Sequence, residues 1–354
     1  LAILRINNMK KYNILFFLFA LLLVGCEEML LGPEPANNPK GNFDVLWKTF
    51  DENYALFTVK NVNWDSLRLV YGSKISASTT SNELWGIMTN LLSNLNDGHT
   101  KLFNENYTKG FNSSEIAKRT ANDFSLELIK STKLENAKTA GSGLITYSKI
   151  KNANIGYIHI ASFALTGRYN VNWAYDIDKA LADLAECKAI IVDLRNNGGG
   201  LRVTGDIIAS AFVDREITYF YQRAKVGPGH NDLGDKIPIS IAPREGRLKY
   251  SKKTVLLTNR FSASGSEYFT EIFKYLSYTS QIGDTTFGAF GDIISVAQLP
   301  NGWTFTYPCR LTTTPDGNCY EGKGIVPDYV IENSAADIKS EKDNVINFAI
   351  EYLR

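Results

Sequence analysis

Apolar positions recur with two different periods along this chain, and the change of period divides it. Phe43, Leu46, Phe50 and Tyr54 form one helical stripe, and Leu84, Met88, Leu91 and Leu95 form another. The second opens with Thr80-x-x-Glu83, the form of a capping box. Together they predict a small helical N-terminal domain over 43–105. From Ile155 onward, short apolar runs that read as buried strands alternate with helical periods. Tyr157–Ile160, Ile190–Leu194 and Thr254–Thr258 are strand runs. Tyr175–Leu184, Ile207–Phe212 and the set Phe269, Ile272, Phe273 and Leu276 are helical. This alternation predicts an α/β core over 155–354. A connecting segment of mixed strand character, 106–154, lies between the two.

The N-terminus has a pattern of its own. From Met9, the basic pair Lys10-Lys11 precedes the apolar run Ile14–Val24, too short to span a membrane, and then comes Leu23-Val24-Gly25-Cys26. This reads as a leader and lipoprotein signal peptide over 1–25, with cleavage before Cys26 and lipidation of that cysteine. Residues 26–42, rich in Pro, Gly and Asn, read as the lipidated cysteine and a flexible tether. The expected location is the bacterial cell envelope, as a lipoprotein at the outer membrane facing the periplasm or the exterior.

Charge narrows the choice of partners. The formal net charge is +1, with Arg5, Lys10 and Lys11 in the leader, and no basic patch points to nucleic acid. No Cys/His cluster has zinc spacing, so no metal is expected. Cys187 falls in an apolar helical stretch and reads as a buried thiol. Cys309 and Cys319 flank the turn Thr314-Pro315-Asp316-Gly317, so a disulfide between them is a candidate in an exported protein, with two thiols as the alternative.

Candidate chemistry centres on Ala263-Ser264-Gly265-Ser266-Glu267, placed between the strand Thr254–Thr258 and a helix. A serine there is either an N-cap or a nucleophile. The first N–H groups of a helix lack intrahelical acceptors, so the Gly265 amide could stabilise an oxyanion. A second strand ends in Asp193-Leu194-Arg195-Asn196-Asn197-Gly198-Gly199-Gly200, whose glycines allow positive φ and close approach. Gly198 or Gly199 could supply a second donor; the spacing fits neither a Walker loop nor a dinucleotide fingerprint. A serine hydroxyl also needs a base. Only His99, His159 and His230 are available as imidazoles. His159 reads as a packed strand residue, His230 as a solvated loop residue, and His99, after a helix and a glycine, as a helix-terminal side chain or a base.

Asn96-Asp97-Gly98-His99-Thr100, Ile155-Gly156-Tyr157-Ile158 with Ser162-Phe163, Asp193–Gly200, Phe261–Glu267 and Gly322–Asp328 occur in one order. From about Asn42 onward the chain resembles the C-terminal processing (tail-specific) serine peptidases, in their tricorn-core-like branch. The resemblance implies a crotonase/ClpP-like spiral of βα units, with Ser264 as nucleophile, Gly265 and Gly198 or Gly199 as the oxyanion hole, and no cofactor. The lysine that serves as base in the bacterial processing branch is missing, because the corresponding stretch is Thr286-Phe287-Gly288-Ala289-Phe290. The histidine-using branch fits instead, with His99 as base and Glu321 orienting it. Many relatives carry a PDZ domain where this chain has about fifty residues, so no full PDZ domain is expected. The implied function is an exported, lipid-anchored serine endopeptidase acting on extended polypeptides through an acyl-enzyme. The alternative is an inactive module on the same fold that binds peptides or hydrophobic ligands.

Overall fold

The structure, a computed structural model, describes residues 34–354 apart from 168 and 169. The expected leader and Cys26 lie outside the described residues. Three helices come first: α1 (Pro39–Asn53), α2 (Trp64–Gly72) and α3 (Ser81–Ser93). There follow β1 (Lys101–Phe103), β2 (Gly110–Asn112), α4 (Leu126–Thr132), β3 (Lys138–Ala140), β4 (Ile145–Lys149) and β5 (Ile155–Ile160). The chain then alternates through α5 (Ile177–Asp183), β6 (Ala189–Asp193), α6 (Arg202–Ala209), β7 (Ile217–Ala224), β8 (Ile237–Ile241), β9 (Lys253–Thr258) and α7 (Gly265–Lys274). It closes with β10 (Thr279–Gly283), β11 (Asp292–Gln298), β12 (Thr304–Thr313), β13 (Tyr329–Val330), α8 (Ala335–Lys339) and α9 (Asn344–Leu353).

The larger sheet has the order β13-β10-β9-β6-β5-β4-β3. Its strands from β5 to β13 pair in parallel, and β3-β4 form an antiparallel edge. Helices cover both faces, which is why β6 and β9 are almost continuously buried rather than alternating. On one face Phe163, Ile208, Phe269 and Phe273 pack with Ile158 and Val192; on the other, Tyr157, Ile191 and Val255 meet Ile346 and Ile350 of α9. The mixed α/β architecture of the core thus matches the sequence pattern.

Three expectations about boundaries need correction. Residues 39–42, assigned to the tether, are the first turn of α1: Asn38 caps the helix by accepting the Gly41 amide at 2.8 Å, and Pro39 stands where its missing N–H costs nothing. Segment 106–154 is no mere connector, because β4 pairs along its length with β5, Tyr147 opposite Ile158. The helical unit also does not close on itself. Phe43, Phe50, Trp64, Met88 and Leu91 share their core with Trp303, Phe305 and Tyr307 from β12 and the turn before it.

That sharing follows from a second, antiparallel sheet in the order β2-β1-β12-β7-β8, with β11 on the other side of β12. β12 pairs with β1 through Thr304–Thr306 and with β7 through Arg310–Thr313. Pro308 sits in the gap between those partners, where its carbonyl accepts the Ala55 amide at 3.1 Å and no ladder bond needs its nitrogen. The sheet thus ties the residues just after His99 to β12, which lies between the Ser264 helix and Glu321 along the chain.

Candidate active site

Ser264 stands at the junction of β9 and α7, with φ 54° and ψ −116°. A positive φ is costly for a residue with a Cβ, and this turn is stitched on several sides. The flanking serines of the motif do part of this: Ser262 Oγ donates to the Leu194 carbonyl at 2.8 Å and Ser266 Oγ to the Asn197 carbonyl at 2.7 Å. Ala263 N–H donates to the same Asn197 carbonyl at 3.0 Å. The serine turn and the glycine turn are therefore one rigid unit at the carboxyl ends of adjacent strands β6 and β9. Ser264 occupies the N-cap position, yet its hydroxyl lies 3.1 Å from His99 Nε2.

His99 reaches Ser264 from the loop between α3 and β1. Asp97, fully buried, accepts the His99 amide at 2.7 Å on Oδ1, and its Oδ2 takes the Tyr54 hydroxyl at 2.8 Å and the Thr100 hydroxyl at 3.0 Å. Asn112 Nδ2 holds the Gly98 carbonyl, and Thr306 Oγ1 the His99 carbonyl at 2.6 Å. Gly98 is needed for space: a Cβ there would lie 2.6 Å from Phe287 Cε1 and 3.1 Å from the Ala289 methyl. Burial lowers the His99 pKa below the ordinary histidine value, outweighing the Asp97 carboxylate.

The glycine turn resolves which amide is available. Gly199 N–H donates to Asn197 Oδ1 at 2.9 Å, whereas Gly198 N–H and Gly265 N–H have no protein acceptor among the described residues. Gly199 serves by being small. With φ 91°, its missing Cβ would stand 2.4 Å from the Ala263 carbonyl oxygen and 3.0 Å from Ser264 Cβ.

A family model for peptidase family S41 matches residues 154–331, half of the chain, and one for the tricorn protease C1 domain matches 35–93. The chain belongs to peptidase family S41. Among S41 relatives, carboxy-terminal processing protease CtpA of Bacillus subtilis (strain 168) is 30% identical over 182 residues, 51% of this chain and 36% of that protein. A protein of Staphylococcus aureus (strain COL) named as a CtpA-like serine protease is 30% identical over 208 residues, 58% of this chain and 36% of that one. The match thus spans about a third of the length of these curated relatives. The crystal structure of a protein from Parabacteroides merdae ATCC 43184, described as a candidate peptidase, superposes with TM-score 0.80 at 30% identity, over 90% of this chain and 97% of that one. Mature CPAF complexed with lactacystin shares the S41 fold at TM-score 0.67 and 14% identity, over 89% of this chain and 96% of that one.

Other residues of this S41 site are not where the sequence led us to expect. Glu321 does not hydrogen-bond His99, whose Nδ1 is buried with no partner at hydrogen-bond distance among the described residues. Its carboxylate is already committed: Oε2 accepts the Phe290 and Gly291 amides at 2.6 and 2.9 Å, and Oε1 faces Lys60 Nζ at 3.3 Å. Burial and the nearby Asp97 charge push its pKa up, against the pull of Lys60 and the two amides. The Gly291 backbone in turn favours a protonated His99 ring.

Glu267 had no assigned role, although its place three residues after Ser264 is the capping-box signal. It accepts the Ser264 amide at 2.9 Å, the Thr286 hydroxyl at 2.6 Å, and the Gly288 and Ala289 amides at 2.6 and 2.8 Å. Fully buried, its carboxyl is pushed up to about 7 despite these donors. Lys60 carried no sequence signal.

The remaining candidates fall outside the site. His159 stacks on Phe124 within the larger sheet. His230 is not a freely solvated loop residue: it stacks on Phe57 at 4.1 Å and its Nε2 lies 2.8 Å from Asp51 Oδ1, so its loop is docked on the helical unit. Cys187 is buried. Cys309 and Cys319 are not joined by a disulfide. Burial and the Glu321 charge push the Cys319 thiol up to about 11, which disfavours the thiolate that oxidation requires. Among the described residues no cluster of His, Cys, Asp or Glu could hold a metal ion.

Proposed function

We propose that this S41 protein is an exported serine endopeptidase, anchored by lipid at Cys26, that hydrolyses extended polypeptides through an acyl-enzyme on Ser264. The observation that carries the reading is the 3.1 Å approach of His99 Nε2 to Ser264 Oγ. A base held neutral by burial is suited to take the serine proton as Oγ attacks the peptide carbonyl. The developing oxyanion would be received by the Gly265 and Gly198 N–H groups. His99 then returns the proton to the leaving amine as the C–N bond breaks. Water, deprotonated by the same imidazole, attacks the ester, and Ser264 Oγ leaves with that proton to regenerate the hydroxyl.

With Nε2 accepting from Ser264, the ring proton sits on Nδ1, toward the Phe290-Gly291 backbone. In this reading Glu321 is a positioning residue acting through that backbone, which it holds by two amides while Lys60 offsets its charge. Asp97 positions the base from the other side through the His99 amide.

Cleavage of an unfolded, dye-labelled polypeptide by the purified protein tests the activity, with Ser264→Ala as control. Turnover by the wild type alone is expected. Equal cleavage by both proteins would remove Ser264 as nucleophile, and cleavage by neither would favour a ligand-binding module. For the anchor, radiolabelled fatty acid should enter the wild type and not Cys26→Ser in a bacterial host. A native mature N-terminus downstream of Cys26 would contradict it.

A further inference from the structure

We propose that Arg244 and Arg247 form a binding site for an oxyanion, a carboxylate or phosphate group, where the turn after β8 packs on residues 172–178. Both guanidinium groups lie over the ring of Tyr175, at 4.7 and 4.9 Å from its centroid. Both face one carboxylate. Asp178 Oδ2 pairs with Arg247 Nη2, while its Oδ1 is 3.7 Å from Arg244 Nη2, beyond hydrogen-bond distance. Arg247 Nη2 also donates to the Tyr175 carbonyl at 3.1 Å.

The consequence is a surplus of donors and of charge. Among the described residues, Arg244 Nε, Nη1 and Nη2 are all buried without a hydrogen-bond partner, as are Arg247 Nε and Asp178 Oδ1. The nearby acid Asp176 is committed to Lys179 at 2.9 Å and the Gly141 amide, and Glu245 is exposed. Two cations thus share one anion. Burial and the Arg247 charge lower the Arg244 pKa, against the pull of Asp178 and Tyr175.

Arg195 of the same chain shows how a structural arginine is satisfied in this fold. It is fully buried, and Asp193 and Asp343 each give it two-oxygen contacts at 2.7–3.1 Å. Arg244 has no such partner. Its fork of N–H groups, held flat by Tyr175, matches two oxygens of a carboxylate or phosphate. Tyr175 and Arg247 remain about one-third exposed, so an oxyanion can approach at that edge, and engaging the buried Arg244 nitrogens requires the edge to shift. None of these side chains bonds to Ser264, His99 or Glu321, so the inference stands apart from the catalytic reading.

The test is equilibrium dialysis of the purified protein against radiolabelled phosphate and, separately, radiolabelled acetate, at constant ionic strength in chloride. Saturable binding of at least one ion, one per chain, is expected, with affinity falling about tenfold or more in Arg244→Gln and in Arg247→Gln as the bidentate donors are lost. Arg244→Lys, which keeps the charge and loses the fork, should also weaken binding. The two ions show which oxyanion is preferred. Absence of saturable binding by both at about 50 mM, where even a millimolar site would fill, overturns the proposal. So does binding unchanged in both glutamine variants. If one variant fails to fold, the other and the wild-type stoichiometry still decide.

Discussion

Glu267 accepts the backbone amide of Ser264 at 2.9 Å, and so holds the one residue of this turn that combines a side chain with φ 54°. The same carboxylate gathers the 286–289 loop beside it. A single buried acid therefore sets the distance between the serine turn and the segment that leads to Glu321's amide partners.

Replacing Glu267 by Gln keeps the length but puts an NH2 donor where one carboxylate oxygen accepted two of the four hydrogen bonds. The strained turn should relax, and a shift of about 1 Å at Ser264 costs on the order of a hundredfold in kcat. KM should change little, and the far-UV circular dichroism should stay native. Wild-type kcat in this variant would contradict a positioning role.

The glycine turn gives a pair of contrasting substitutions. Gly198→Ala meets nothing within 4 Å and leaves the backbone N–H in place, so its activity should stay near that of the wild type. Gly199→Ala would force a Cβ to 2.4 Å from the Ala263 carbonyl oxygen at φ 91°, and should abolish turnover or prevent folding. Steady-state kinetics and thermal melts of the two proteins check this; equal behaviour would mean the turn is placed differently.

Tyr54→Phe removes one hydroxyl from buried Asp97, 43 residues along the chain. The expected cost is about 1–3 kcal/mol of stability, because an acceptor is left short inside the protein. The looser His99 loop should also lower kcat more than it changes KM. Urea melts and initial rates read both effects, and no change in either would show that Asp97 is held by Thr100 and the His99 amide alone.

The pH dependence follows from the direction of the His99 shift. The base must be neutral, and burial lowers its folded pKa below about 6.5, so kcat/KM should fall as pH drops through a midpoint below that value. Stability moves the same way. Between the folded pKa and about 6.5 the unfolded chain binds the His99 proton more tightly, so this contribution is present at neutral pH and is lost as pH falls. A pH–rate profile with an acidic limb centred above 6.5 would contradict the assignment of His99.

The sequence was most legible where neighbours along the chain do the work. The serine turn, the three glycines and the capping box of α3 are local signals, and the structure brings Ser264 and His99 together although they stand 165 residues apart. The partners of Glu321 were not legible. They are backbone amides, which carry no residue identity, and Lys60, 261 positions away in a loop. The antiparallel sheet was missed for a related reason: β1 and β2 have three residues each, and β12 carries Pro308, a residue that argues against a strand interior. The absent lysine has a spatial counterpart. Ala289 stands in its place in the sequence, and its methyl packs where the Gly98-His99 turn passes.

Labelling with a fluorophosphonate probe, followed by peptide mapping, most directly tests whether Ser264 is activated by His99. The wild type should be modified at Ser264 alone, Ser264→Ala should not react, and His99→Ala should react slower by roughly two to four orders of magnitude. Modification at another residue, or a His99→Ala protein that labels as fast as the wild type, would contradict it.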